Sequence, residues 1–199
     1  MNIVFDLGGV VFHWSPDEII ADVFESKEIR AKVKKHVFGH PDWIALDRGT
    51  LKRADAIENA TIRTGLPKSD IVELMDHVPE SLIPKPETVE LIQIVKQKGN
   101  RVFVLSNMHV SVIRDLREKY RLWDLFDGMV VSCEIHMVKP ELGIYQYLLE
   151  QHNLSADETV FIDDMMVNLE PAEKLGIRCI QFKDSIQCEE ELKSIGVID

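Results

Sequence analysis

Five short apolar runs most constrain the fold of this 199-residue chain. Each run is five or six residues long, is apolar on both faces and is rich in Val, Ile or Phe, as is typical of strands in a parallel sheet that is covered on both sides. Longer stretches with helical periodicity separate the later runs. This alternation predicts an α/β protein with a doubly wound parallel sheet. The predicted strands are residues 3–7, 101–106, 128–132, 159–164 and 178–182.

The segment between the first two predicted strands is far longer than an ordinary connection. It contains three helical patterns, at residues 17–39, 50–65 and 68–78, and no convincing strand. We therefore predict a helical cap subdomain at 14–84, inserted into a core that residues 1–13 and 85–199 form.

Charge and composition narrow the classes of partner. The chain carries 34 acidic and 23 basic side chains, a formal net charge of −11. Phosphate backbones and anionic lipids repel such a chain, so we expect neither nucleic acid nor a membrane as partner. The N-terminus lacks the basic segment of a signal peptide, and no stretch approaches the roughly 18 apolar residues of a membrane span. The sequence thus predicts a cytoplasmic protein and leaves its oligomeric state open.

Polar side chains follow several of the predicted strands. In an open parallel sheet, ligands bind at the carboxyl ends of the strands, which share one edge. Taken singly, each polar residue has a structural explanation, since Ser, Asn and Asp often cap helices and a lone Lys is commonly a surface residue. Together they predict one polar site. The residues in question are Asp6, Ser106, Asn107, Lys139, Asp163 and Asp164.

The residue types in this set indicate phosphoryl chemistry. Crowded carboxylates repel one another, and the oxygen-rich set Asp6, Asp163 and Asp164 suits Mg²⁺. Lys139 adds a fixed positive charge, so that metal and ammonium can meet the charge on a transferring phosphoryl group. Asp6 would then attack phosphorus and form an aspartyl-phosphate that water later breaks. Gly8 and Gly9 leave the backbone free for close approach by metal and phosphate.

Four segments in this order resemble the four motifs of the haloacid dehalogenase superfamily: FDLGGV, LSN, VKP and FIDD followed by NLEPAEKLG. The resemblance covers the whole chain, with residues 14–84 in the place of the helical cap of many members. Within the superfamily, the chain is similar to bacterial α-D-glucose-1-phosphate phosphatases and to the N-terminal phosphatase domain of soluble epoxide hydrolases.

The resemblance implies a role for each matching residue. Asp6 would be nucleophile and metal ligand, and the Gly8 backbone carbonyl would also bind Mg²⁺. Asp164 would be the direct carboxylate ligand, with Asp163 nearby or acting through water. The residues that would hold the phosphate are Ser106, Asn107 and the catalytic Lys139.

One position departs from the superfamily's phosphatases. They commonly have a second Asp two residues after the nucleophile, for general acid–base catalysis, which contributes roughly 10²–10⁴ in rate; this chain has Gly8 there. His13 and Asp17 are candidate substitutes, although His13 is also explained as a packing residue. The segment 42–51, which contains Trp43, Asp47 and Arg48, faces the active site in similar proteins. Arg48 or Trp43 would either contact the non-phosphate part of the substrate or pack within the cap.

The sequence therefore predicts a Mg²⁺-dependent phosphatase for a small phosphorylated metabolite, with a sugar phosphate as the expected example. Two alternatives stay open. The superfamily's metal-independent 2-haloacid dehalogenases also lack the second Asp, and their first Asp attacks carbon. A binding or regulatory protein with a degenerate hydrolase site is the other.

Overall fold

A computed structural model describes all 199 residues and contains a single five-stranded sheet. The strands lie in the order β3-β2-β1-β4-β5, and every neighbouring pair is parallel. The predicted doubly wound α/β fold is confirmed, and each strand end lies within two residues of its predicted position. The strands are β1 Asn2–Phe5, β2 Arg101–Ser106, β3 Gly128–Val131, β4 Thr159–Asp163 and β5 Arg178–Gln181.

The apolar character of both strand faces has a direct structural cause. Along β1, Ile3 and Phe5 pack into one apolar cluster of 39 buried residues, whereas Val4 packs into a second cluster of 12 on the opposite face. Successive side chains of a strand point to opposite faces, so a strand between two clusters must be apolar at every position.

Six helices connect β1 to β2, and a short π-helical segment, Lys34–Phe38, lies among them. We call the first five the cap helices. The six helices are α1 Pro16–Val23, α2 Lys27–Val33, α3 Pro41–Asp47, α4 Arg53–Thr64, α5 Lys68–Ser81 and α6 Pro86–Gln97.

The cap helices differ from the predicted pattern in two places. The predicted helix at 17–39 is broken, because Ser26 caps a new helix by accepting a hydrogen bond from the Ile29 backbone N–H at 3.4 Å. Helix α3 was not predicted: it is only two turns long, and it begins with Pro41 directly after the capping residue His40. A helix this short carries too few apolar positions to show a period.

Five further helices follow the later strands: α7 Val110–Lys119, α8 Ser132–Ile135, α9 Leu142–His152, α10 Met166–Lys174 and α11 Ser185–Ser194. Two 3₁₀ turns lie at Leu122–Leu125 and Ala156–Glu158. None of the helices combines the length and the apolarity needed to cross a lipid bilayer.

The cap helices pack directly on the core. Helix α5 contacts α7, and α3 contacts α8, which follows β3 without a gap. The 39-residue cluster includes side chains of both the cap helices and the sheet. The division of the chain into folding units at residues 14 and 84 stays a prediction.

Candidate active site

The sheet topology brings the predicted polar residues to one edge. Strand β1 lies between β2 and β4, so Asp6, just after β1, lies between Ser106 at the end of β2 and Asp163 at the end of β4. Lys139 reaches the same edge from the loop between α8 and α9.

A buried ammonium group links two of the carboxylates. Lys139 Nζ lies 2.9 Å from Asp6 Oδ1 and 2.6 Å from Asp163 Oδ2. Asp6, Lys139 and Asp163 are 7%, 3% and 0% exposed. Buried charges persist in proteins only when they are paired and hydrogen-bonded, so this arrangement fixes all three side chains.

Burial and neighbouring charges together set the protonation of this group. Burial raises the pKa of Asp6 to about 7; Lys139 opposes this rise and Asp163 adds to it. Burial alone would lower the pKa of Lys139, but Asp6 and Asp163 outweigh burial and raise it. Lys139 is therefore a permanent positive charge beside Asp6.

Asp163 has nearly all of its hydrogen-bonding capacity occupied by the protein. Its Oδ1 accepts from the Met165 backbone N–H at 2.8 Å and from Asn168 Nδ2 at 3.0 Å, and its Oδ2 accepts from Lys139. Asn168 is itself fixed, since its backbone oxygen accepts a 2.7 Å hydrogen bond from the Tyr145 hydroxyl. Asp163 thus holds Lys139 in place.

The side chains of Ser106 and Asn107 differ in how many of their hydrogen bonds the protein already makes. The Asn107 amide is paired with the Lys139 backbone in both directions, accepting from its N–H at 2.8 Å and donating to its C=O at 2.9 Å. The Ser106 hydroxyl is buried and makes no hydrogen bond of ordinary length, although it lies close enough to Asp6 to lower the pKa of that carboxyl group. Since an unpaired buried hydroxyl is costly, Ser106 is suited to a bound ligand oxygen.

Asp164 lies against the glycine turn that follows β1. A Cβ at Gly9 would lie 2.5 Å from Asp164 Oδ2, and Gly9 has a φ of +78°, so only glycine fits there. Burial, and then Asp163, raise the pKa of Asp164. Lys85 donates a hydrogen bond to the Gly9 carbonyl and holds the turn from the other side.

The donor set fits a divalent cation. Asp6, Asp163 and Asp164 each offer one carboxylate oxygen, and these atoms all lie within 4.8 Å of one another. Three carboxylates face one ammonium, so a doubly charged cation would balance the site. Oxygen-only donors are those that Mg²⁺ prefers.

A cavity of about 370 Å³ joins this polar edge to the cap helices. Asp6, Gly8, Asn107, Lys139 and Asp164 line its core wall. Its cap wall is mainly aromatic and aliphatic, with contributions from Trp14, Phe38, Trp43, Val78 and Leu82. The rings of Phe38 and Trp43 stack with their centroids 4.3 Å apart.

Three sequence-based candidates for contact with substrate lie elsewhere. His13 is exposed, with its ring 2.6 Å from Glu18, and Asp17 pairs with Lys34 on the surface. Neither lines the cavity, so both are wrong as substitutes for the absent second Asp. Arg48 also points away from the cavity and forms a bidentate pair with Glu141, at 2.6 and 2.8 Å, whereas Trp43 does line it.

Two residues of the site, Asn168 and His109, were missed by sequence reasoning. Asn168 lies five residues after Asp163 within a recognised motif, so its position could have indicated a partner for that acid. His109 is buried beside the cavity, and no local pattern distinguishes it from an ordinary polar residue. Asp47 is also buried there, and it lies in the segment 42–51 that the resemblance places at the active site.

Fold and site together define a doubly wound α/β enzyme with a lysine-containing acidic site beneath inserted helices. The haloacid dehalogenase-like hydrolase family model matches residues 18–182 of the chain. The chain therefore belongs to the haloacid dehalogenase-like hydrolases and is phosphatase-like, as the four motifs predict.

Two curated relatives illustrate this membership. The chain is 30% identical over 192 residues to the sesquiterpene phosphatase astK of Aspergillus oryzae, covering 96% of this chain and 94% of the relative. It is 31% identical over 105 residues to bifunctional epoxide hydrolase 2 of Rattus norvegicus, covering 51% of this chain and 19% of that much longer protein.

Solved structures confirm the fold. An enzyme of the same family from Bacteroides thetaiotaomicron, solved as a variant in complex with magnesium and inorganic phosphate, superposes with a TM-score of 0.73. The two sequences are 22% identical, and the match covers 92% of this chain and 93% of the other.

Proposed function

We propose that this protein is a Mg²⁺-dependent phosphatase that forms an aspartyl-phosphate on Asp6. The observation that carries the proposal is the buried Asp6–Lys139 pair, 2.9 Å apart, at the wall of a cavity whose other acids offer oxygens to a cation. A carboxylate held beside a fixed ammonium is placed to attack a phosphoryl group whose charge the ammonium offsets.

Each polar residue at this edge of the sheet has a distinct part in this proposal. Lys139 binds a phosphoryl oxygen and orients Asp6, and the unpaired Ser106 hydroxyl donates to a second oxygen. Asn107 keeps the Lys139 backbone in place. When bound, Mg²⁺ supplies further charge neutralisation of the phosphoryl group.

We assign the two neighbouring acids different roles. Asp164 and Asp6, together with the Gly8 backbone carbonyl, would hold the metal, because Asp164 lies at the cavity and its carboxylate accepts no hydrogen bond from another side chain. Asp163 is occupied by Lys139, Asn168 and the Met165 N–H. It would act on the metal through water or by fixing Lys139.

The test compares two substrate classes. With 4-nitrophenyl phosphate we expect Mg²⁺-dependent release of phosphate that EDTA abolishes, and with 2-chloropropionate we expect no chloride release. Chloride release that is indifferent to EDTA would identify a dehalogenase. Inactivity on a broad panel of phosphate esters would identify a binding protein with a degenerate site.

The side chains of the cap wall favour a second class of substrate besides sugar phosphates. A sugar phosphate, the example expected from the sequence, needs hydrogen-bond partners for its hydroxyl groups, whereas the cap wall offers mainly the rings and aliphatic groups of Trp14, Phe38, Trp43, Val78 and Leu82. The relative astK is named a sesquiterpene phosphatase. We therefore add a phosphate ester of an apolar alcohol as a candidate substrate. The ratio of kcat/KM for farnesyl phosphate and glucose 1-phosphate distinguishes the two.

A further inference from the structure

A phosphatase that forms an aspartyl-phosphate needs a proton donor for the leaving alcohol. No side chain of the core wall is free to serve as that donor. Position 8 is glycine, Lys139 is paired with two carboxylates, and Asp6 is the proposed nucleophile. Space does not exclude a side chain at position 8, because a Cβ there would meet only Trp14, at an ordinary 3.8 Å. Because the core wall leaves no group for this role, we expect a carboxyl group elsewhere in the cavity to serve it.

Asp47, at the end of cap helix α3, is the one carboxyl group that the cap helices contribute to the cavity lining. It is 8% exposed, and the polar side chain nearest its carboxylate is His109, whose Nε2 lies 3.3 Å from Asp47 Oδ1. This nitrogen has no other hydrogen-bond partner. Asp47 and His109 thus adjoin the cavity that Asp6 lines, with no charged partner to hold Asp47 as a carboxylate.

The backbone around Asp47 is firmly attached to the core. The buried Ser132 hydroxyl donates to the Asp47 carbonyl at 2.5 Å and accepts from the Met108 N–H at 2.9 Å, which links α3 to the loop after β2. The His136 ring is hydrogen-bonded to the Arg48 carbonyl at 2.9 Å. A Cβ at Gly49 would lie 2.6 Å from the Cys133 carbonyl oxygen, so the chain after Asp47 lies directly on α8.

We propose that Asp47 is the general acid that protonates the leaving oxygen, and then the general base that activates water, the role for which this chain has no carboxyl group at position 8. This inference rests on the proposed phosphatase function and names a catalytic residue of that same site.

The two half-reactions balance. An Asp6 oxygen bonds to phosphorus while the bond from phosphorus to the alcohol oxygen breaks, and the proton of Asp47 moves to that oxygen. The Asp47 carboxylate then takes a proton from water as the water oxygen bonds to phosphorus and the bond from phosphorus to Asp6 breaks. Inorganic phosphate leaves, and both aspartates return to their starting states.

The surroundings of Asp47 are consistent with a carboxyl group that carries a proton. Burial, and then the nearby charge of Asp6, raise its pKa to about 8, against a smaller opposing effect of Lys139. Burial lowers the pKa of His109 to about 3, so its neutral ring brings no positive charge to stabilise a carboxylate. The Cys133 thiol on α8 is also neutral, because burial raises its pKa to about 11.

The experiment uses leaving groups that differ in their need for a proton. Wild type, Asp47→Asn and the exposed cap control Asp55→Asn are compared, with saturating Mg²⁺, on hexyl phosphate and 4-nitrophenyl phosphate. We expect Asp47→Asn to lose roughly 10²–10⁴ in kcat on hexyl phosphate. With 4-nitrophenyl phosphate, whose anion needs no proton, the same variant should release a rapid burst of about one equivalent per enzyme and then turn over slowly.

Two outcomes overturn the assignment: an equal loss on both substrates without a burst, as a structural role would give, or kinetics equal to those of Asp55→Asn. As a second variant, Gly8→Asp in an Asp47→Ala background should recover at least tenfold of the lost hexyl phosphate activity, and no recovery counts against the role. Failure of the proposed function is distinct, because wild type itself would then show no Mg²⁺-dependent phosphate release.

Discussion

The two walls of the cavity differ in what they present to a ligand. The core wall is charged, and most of its groups are already paired, as in the contacts of Lys139 with Asp6 and Asp163. The cap wall is apolar, with stacked Phe38 and Trp43 and one acid, Asp47. The difference indicates that the two walls contact different parts of a ligand. Under the proposed function, the charged wall would hold the phosphoryl group and the apolar wall the rest of the substrate.

The largest effect expected on the core wall comes from Asp6→Asn. Loss of the nucleophile should lower turnover by roughly 10⁴-fold or more, while the fold persists, because the amide keeps the size of the carboxyl group. Steady-state phosphate release measures the first effect and circular dichroism the second. Asp55→Asn serves as the control, and retained activity in Asp6→Asn would exclude Asp6 as the nucleophile.

The adjacent acids of the core wall should respond differently to the same change. We expect Asp164→Asn to raise the Mg²⁺ concentration for half-maximal activity by more than the roughly 10–100-fold that the loss of an outer-shell partner costs, because a direct metal ligand is lost. Asp163→Asn should change the Mg²⁺ requirement less but lower the melting temperature more, because it removes one partner of the buried Lys139. Mg²⁺ titrations and thermal melts of both variants check this. Equal Mg²⁺ requirements would contradict the assignment.

Two variants distinguish the contributions that the two walls make to substrate binding. Trp43→Ala should raise the KM for farnesyl phosphate about tenfold, consistent with the loss of a large aromatic contact, and should leave inhibition by inorganic phosphate unchanged. Ser106→Ala should raise the KM for farnesyl phosphate and also weaken inhibition by inorganic phosphate, because its hydroxyl is proposed to bind a phosphoryl oxygen. If Trp43→Ala also weakened phosphate inhibition, the two walls would not act separately.

The last expected effect concerns stability in the absence of metal and not turnover or binding. The pKa of Asp47 is about 8 in the folded protein and 3.8 ordinarily, so the folded state holds a proton that the unfolded state releases. The stability of the wild type therefore falls as pH rises from about 4 to about 8, by at most about 1.4 kcal/mol per pH unit from this group. The Asp47→Asn variant has no carboxyl group at this position, so its stability lacks this pH dependence. In EDTA its melting temperature should exceed that of wild type, and the difference should increase from pH 5 to pH 9. A constant margin would contradict the burial of an unpaired acid.

The fold and the core wall could be predicted because local signals specify them. Apolar residues on both faces identify strands such as β1, and parallel strands place Asp6 and Asp163 at one edge whatever the details of packing. The cap wall could not be predicted in this way. The Asp47 backbone is hydrogen-bonded to Ser132, 85 residues away, and no sequence period reports such a contact. His13 is nearer to Asp6 in sequence, but it lies on the surface.

The apolar cluster that spans sheet and cap helices limits how a molecule can reach Asp6. Swinging α1 to α5 away from the sheet would expose that cluster to water, at about 2.5 kcal/mol for every 100 Å² uncovered. Entry is less costly at the rim, where the lining residues Ile44, Met165 and Val167 are about half exposed. The width of that rim, rather than any large opening motion, would then determine which phosphate esters reach Asp6.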